Sequence, residues 1–189
     1  SVVGDQGRVL ACEPNPTLGM RIERTLADNG LHNVELVRAA LSDDPGDAEL
    51  HVFDGHSGWG SLSAQGPSGA KQTDAWSVEK LRGDDVLAGV PKDQPMVIKI
   101  DVEGHEVPAL RGLQQTLRER RPLVLCEVVD AHQRRAGFSA AQLRAELEQN
   151  GYRAFVIGGR RRGLFGHEAT LVPLQGDPEG EVDVLFVPP

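Results

Sequence analysis

Short apolar runs alternate along this chain with stretches of helical periodicity, a pattern that predicts strands interleaved with helices. Residues 8–13 form the first such run. Asn15 then stands at a helix N-cap with Pro16 at the first helical position, Leu18, Ile22 and Leu26 on one face and Gly30 past the end. Residues 34–41 read as the next strand, and residues 48–53 as an extra one. After the breaker Pro95, residues 96–100 are almost continuously apolar with Lys99 the exception, which predicts a strand buried on both faces. Val107, Leu110, Leu113 and Leu117 follow at helical spacing until Arg121 and Pro122 stop that helix. Residues 123–129 form a further buried strand, and Ser139 with Gln142 makes a capping box for a helix that carries Leu143 and Leu147 and ends at Gly151. Residues 152–157 and 181–187 are the last strands. The final one alternates apolar with acidic residues, as an antiparallel strand with one solvated face does. No repeat, secretory signal or interdomain linker interrupts the series, so residues 1–189 read as a single α/β domain.

Composition narrows the partners. With 39% hydrophobic and 25% charged residues in 189, the chain has ordinary globular proportions. No apolar run reaches membrane-spanning length, so no membrane partner is expected. A formal charge of −8 opposes a phosphate backbone, and no nucleic acid is expected either. Arg160, Arg161 and Arg162, set between glycines and two apolar runs, predict a solvated hairpin tip rather than an anion site. Cys12 and Cys126 each lie near a strand end without the paired spacing of a zinc site. They read as buried free thiols in a reducing, cytoplasmic compartment.

The chemistry concentrates where the run 96–100 meets the following helix, because Asp101, Glu103 and Glu106 fall within six residues there. In open α/β sheets ligands bind outside the carboxyl ends of the strands, which is where Asp101 and Glu103 stand. Gly104 allows a tight turn between them and the helix. Glu106, one turn further on, is expected only to complement the helix dipole, worth about 0.3–1 kcal/mol.

Five segments together resemble the FkbM-type methyltransferases, which use S-adenosylmethionine: residues 98–106, 110–112, 122–127, 9–16 and 39–43, in order over roughly residues 4–157. The resemblance implies a Rossmann-like three-layer sandwich with a mostly parallel sheet and an antiparallel last strand. It implies transfer of a methyl group to a hydroxyl on a small molecule or sugar. Glu13 would accept hydrogen bonds from the ribose hydroxyls of the cofactor, Pro14 and Asn15 would border its adenine, and Ala40, Leu41 and Ser42 would form the opposite wall. Asp101 would face the cofactor's cationic end or its amino group, and Asp101, Glu103 and His105 are the candidate catalytic residues. In that fold a first strand and a glycine-rich turn precede everything seen here, and residues 1–7 look like the end of the helix after that turn. The expectation is therefore a domain incomplete at its N-terminus, with a sheet lacking its first strand. The rival reading is a non-catalytic interaction module that has rebuilt its sheet without the cofactor.

Residues 54–75 are polar and glycine-rich, and a loop of this length is often a lid or a binding segment. Trp59 within it is the candidate for stacking on the acceptor. Glu103 and His105 are the nearest candidates for a general base, whereas His56 and His132 are expected to be ordinary surface residues. Asp101, Glu127 and Asp130 would be the oxygen ligands of a metal-assisted variant; no metal is expected.

Overall fold

The computed structural model describes residues 3, 4, 6–54, 60–66, 68–162, 166–178 and 180–189. Its strands form three sheets. The first pairs β1 (Val9–Cys12) with β2 (Val34–Val37) in parallel, and α1 (Pro16–Asp28) connects them. The second has β3 (Ala39–Leu41), β4 (Gly46–Phe53), β5 (Gly60–Ser61) and β6 (Gln72–Leu81) in the order β3-β6-β4-β5. Beyond β6 come α2 (Gly83–Val86), β7 (Val97–Ile100), α3 (Glu106–Arg111), α4 (Gln114–Glu119) and β8 (Leu123–Val129). The chain closes with α5 (Asp130–Arg135), α6 (Ala140–Glu148), β9 (Arg153–Arg162), β10 (Gly166–Pro173) and β11 (Glu181–Val187). The third sheet has the order β10-β9-β11-β8-β7.

The sheets are mixed rather than mostly parallel. Parallel pairing is confined to β1 with β2, β3 with β6 and β7 with β8. Most antiparallel pairs come from two segments that fold back on themselves without a helix between strands, β4 to β6 and β9 to β11, and β11 also pairs antiparallel with β8. As its alternation predicts, β11 runs antiparallel to both neighbours.

Local chemistry explains most element ends. Asn15 Oδ1 accepts from the backbone N–H of Thr17 at 2.9 Å and of Leu18 at 3.3 Å, so the predicted cap of α1 forms. Ser139 Oγ accepts from Gln142 N at 3.2 Å at the start of α6. Four expectations are corrected. The apolar run 34–41 is two strands in different sheets, because the chain leaves β1 after Val37 and β3 pairs with β6 instead. The helix after Gly104 is broken into α3 and α4 at Gly112, whose bare α-carbon packs against the carbonyl oxygen of Ser42 where a side chain would collide. Residues 72–81, placed in a loop or left unassigned from sequence, form the ten-residue strand β6. Residues 3, 4, 6 and 7 carry no helix, since Gly4 turns the chain at φ 65°.

One core holds the larger sheet. Val107, Leu110, Leu113 and Leu117 pack with Leu143 and Leu147 onto β8 and β11, where Val124, Cys126, Val128, Val184 and Phe186 are all buried. Each fully buried side chain of this kind contributes roughly 1.5–3 kcal/mol. Cys126 sits in this core, whereas Cys12 is only half-buried, and both are free thiols. Arg160, Arg161 and Arg162 belong to strand β9 and pair with β10, rather than forming the tip between them. No helix among the described residues is long and apolar enough to cross a membrane.

Candidate active site

A cavity of about 1050 Å³ runs between β1 and β7, from Arg8 and Met96 before those strands to Glu13 and Asp101 beyond their carboxyl ends. Glu13, Pro14 and Asn15 line it from β1, Ala39, Ala40 and Leu41 from β3, and Asp101, Val102, Glu103 and His105 from the turn after β7. Leu50, Gly60 and Leu62 border it from the four-stranded sheet.

Glu13 reaches this position because its backbone N–H still bonds to Val37 O at 3.0 Å, extending β1 by one residue. Its Oε1 accepts from Asn15 N at 2.7 Å, and Oε2 has no partner among the described residues. Burial pushes this carboxyl above the ordinary range, opposed by the Asn15 hydrogen bond. Asn15 is itself buried and spent on capping α1. Ala40 is 8% exposed and presents only a methyl group, while Leu41 is half-buried. Ser42 is fully buried, with Oγ donating to Asp44 Oδ1 at 2.8 Å and lying 3.3 Å from His105 Nε2.

The turn from Asp101 to His105 is shaped by unusual backbone and by one buried acid. Glu103 adopts φ 53° and Gly104 φ 101°, successive left-handed residues that reverse the chain within one turn. Glu106 is not a surface dipole partner as expected. It is 3% exposed, and its Oε1 accepts from Val102 N at 3.1 Å and Gly104 N at 3.3 Å, while Oε2 accepts from the buried amide of Gln133 on α5. These hydrogen bonds tie the turn to two helices. Asp101 pairs with Lys99 Nζ at 2.6 Å, a contact that raises the lysine above its ordinary value.

Two histidines come to the turn by different routes. His105 lines the cavity, and burial, followed by the nearby Lys80 ammonium, brings it down to about 4, so it is neutral at pH 7. His132, expected to be an ordinary surface residue, is instead largely buried, with Nδ1 at 3.0 Å from Glu103 Oε2. Burial pushes the Glu103 carboxyl up to about 7, and the negative charges of Asp101, Glu127 and Glu106 add to the effect. Glu127 lies on β8, shifted upward first by burial and then by Asp101. Asp130 is engaged elsewhere, with Oδ2 on Arg134 Nε at 2.5 Å and Oδ1 accepting from Ala140 N at 3.3 Å. Among the described residues no three of His, Cys, Asp and Glu converge as a metal-ligand set. Trp59 and His56 lie outside the described residues.

An α/β fold with a cavity at its strand ends, a carboxylate on each side and a strained acidic turn defines a ligand-binding domain of enzyme type. The chain belongs to the FkbM methyltransferase family: its residues 2–154 match the Methyltransferase FkbM domain. It is 27% identical over 164 residues to the hexuronic acid methyltransferase AglP of Haloferax volcanii, a match that covers 85% of this chain and 65% of that protein. The crystal structure of the FkbM methyltransferase from Methylobacillus flagellatus superposes with a TM-score of 0.54 at 16% identity, over 95% of this chain and 36% of that one. A precorrin-6y C5,15-methyltransferase from Geobacter metallireducens gives a TM-score of 0.45 at 14% identity, over 96% of this chain and 66% of that one. The chain thus spans under two thirds of the length of AglP and about a third of that of the Methylobacillus protein.

Proposed function

We propose that this chain is an S-adenosylmethionine-dependent O-methyltransferase acting on a hydroxyl of a sugar or similar small molecule. The observation that carries the reading is the convergence in one cavity of Glu13, Ala40 and the turn from Asp101 to His105. The residues present suit an adenosyl group. Glu13 offers its unpartnered Oε2 to ribose hydroxyls, a task for a group that only accepts. Pro14 and Asn15 on one side, with Ala40 and Leu41 on the other, suit a flat ring, and the Asp101 carboxylate suits a cationic end. S-adenosylmethionine, when bound, supplies a methyl group activated by its sulfonium. The chain's own part is then orientation and proton removal. Alignment contributes about 7–11 kcal/mol in favourable cases, and a general base about 10²–10⁴-fold.

Glu103 suits the base better than His105. Its carboxyl is held at about 7, and Oε1 has no partner among the described residues. His105 is buried against Ser42 and too weak a base at about 4. A sugar acceptor is favoured by the name of the Haloferax relative, a methyltransferase of hexuronic acid.

The further strand expected from sequence belongs to the same reading. Among the described residues β1 bonds only to β2 and β7 only to β8, and Val9, Leu10, Val97 and Ile98 from their other sides line one cavity. Val97 is left 68% exposed, an unusual place for an apolar strand residue. One parallel strand laid between β1 and β7 would join the two sheets and floor the cofactor site.

Calorimetric titration of S-adenosylmethionine and its demethylated product tests the function. Binding to the native protein, weakened about tenfold or more in Glu13→Gln, is the expected result. A folded native protein that binds neither compound refutes the enzyme reading and favours the interaction module.

A further inference from the structure

His132 lies 29 residues beyond Glu103 in sequence, on α5 rather than in the turn after β7, yet the fold fixes the two against each other at several independent points. Their side chains are 15% and 22% exposed, and Nδ1 of the imidazole stands 3.0 Å from Glu103 Oε2. Glu103 reaches this position by taking φ 53°, a left-handed region that non-glycine residues seldom adopt. Gly104, the next residue, lies against the carbonyl of His132 so closely that a β-carbon would sit 2.6 Å from that oxygen. Gln133 donates to Glu106, which in turn holds the amides of Val102 and Gly104. Ser61 Oγ donates to Glu103 O at 3.4 Å, and Ser63 Oγ to Arg135 O at 3.2 Å, so β5 and the residues after it brace both partners.

We propose that Glu103 and His132 act as one unit, in which Glu103 takes the proton of the acceptor hydroxyl and His132 is the positioning residue that aims its carboxylate. The proposal rests on the methyltransferase reading for the origin of that proton. The imidazole keeps its Nδ1–H and donates it to Oε2, which leaves Oε1 turned to other partners. As the acceptor O–H bond breaks, its proton forms a bond to Oε1, the freed electron pair stays on the acceptor oxygen, and the Glu103 carboxylate becomes a neutral carboxylic acid. Nothing is oxidised or reduced.

The charged groups around the pair set its pH behaviour. Asp101 at the end of β7, Glu127 on β8 and Glu106 on α3 oppose ionisation of Glu103, and Arg135 on α5 favours it. Burial, followed by Arg135, lowers His132, with Glu181 on β11 and Asp101 acting the other way. The downward shift favours the neutral imidazole, the form that donates a single N–H to the carboxylate.

Carboxyl carbon NMR of the glutamate-labelled native protein reads the pair without cofactor, with Glu103→Gln assigning the signal. Glu103 should titrate near pH 7. His132→Ala removes a donor to the carboxylate and should move that midpoint up by about one pH unit, whereas His132→Gln, which keeps an N–H, should move it by less than half as much. The acidic limb of kcat/KM for methyl transfer should move with it in each variant. A Glu103 midpoint equal in native protein and both variants overturns the pair. A limb that stays fixed while the midpoint moves overturns Glu103 as the proton's destination. Failure of the methyltransferase reading is seen on a different signal, the absence of cofactor binding by the native protein.

Discussion

Replacing Glu103 by glutamine should make the protein more stable, and by an amount that depends on pH. The folded chain holds this carboxyl at about 7 against an ordinary 4.5, because burial and then Asp101, Glu127 and Glu106 all disfavour its charge. A group whose folded pKa is raised keeps its full contribution below the unfolded value and loses it as pH rises through the folded one. Relative to a neutral side chain, native Glu103 therefore has no penalty near pH 4.5 and a growing one up to and beyond pH 7. At about 1.4 kcal/mol per pH unit the whole shift corresponds to roughly 3 kcal/mol. With 22% of the side chain exposed, solvent screening reduces this to about 1–2 kcal/mol. Glutamine retains an oxygen to accept from His132 Nδ1, so the contact itself survives. Thermal melts of both proteins at pH 5, 6.5 and 8 measure the effect, with a melting temperature higher by about 3–6 °C in Glu103→Gln at pH 8 and nearly equal at pH 5. A stability difference that is the same at all three pH values, or largest at pH 5, refutes the argument.

Other expectations concern the same turn and its neighbours. Gly104→Ala should lose at least about 2 kcal/mol in denaturant unfolding, since it combines φ 101° with a clash on the His132 carbonyl; an unchanged midpoint would show that the turn relaxes freely. Glu106→Ala should destabilise by about 3 kcal/mol, because two backbone amides and the Gln133 amide lose their acceptor together. His105, brought down to about 4 by burial, contributes stability that is complete above pH 6.5 and lost as pH falls through 4. Between those values the native protein should lose about 2 kcal/mol more than His105→Gln in thermal melts, and parallel curves would contradict this.

How far the sequence foretold this molecule varies from element to element, for identifiable reasons. The strand, turn and helix around Asp101 were legible because an apolar run, a glycine and a helical pattern are all local signals. The cap at Asn15 was legible for the same reason. Strand β6 was not, because residues Gln72–Leu81 leave only Val78 buried and so show little apolar alternation. The break between α3 and α4 was hidden, since Val107, Leu110, Leu113 and Leu117 keep helical spacing straight across Gly112. The close packing of Gly112 against the Ser42 carbonyl, seventy residues upstream, is a tertiary contact that local spacing does not show. The run 34–41 gave no hint that β2 and β3 serve different sheets, since both halves are equally apolar. His132 and Gln133 were missed because their partners are tertiary. One signal was available: they follow the carboxyl end of β8, the same kind of location that drew attention to Asp101.

The two sides of the candidate site are anchored unequally. No residue of β1 or β2 is fully buried, and α1 buries only Gly19, whereas β8 and β11 carry Val124, Cys126, Val128, Val184 and Phe186 at 0% exposure. The Glu13 side therefore has less buried surface to hold it than the Asp101 side, and backbone amides of β1 should exchange with solvent well before those of β8. A ligand that touches both Glu13 and the acidic turn would fasten the weaker unit to the stronger. At a hundred times its dissociation constant it would add about 2.7 kcal/mol to stability and slow exchange chiefly in β1, β2 and α1. Occupancy would in this way govern the lifetime of the β1–α1–β2 segment as well as the chemistry.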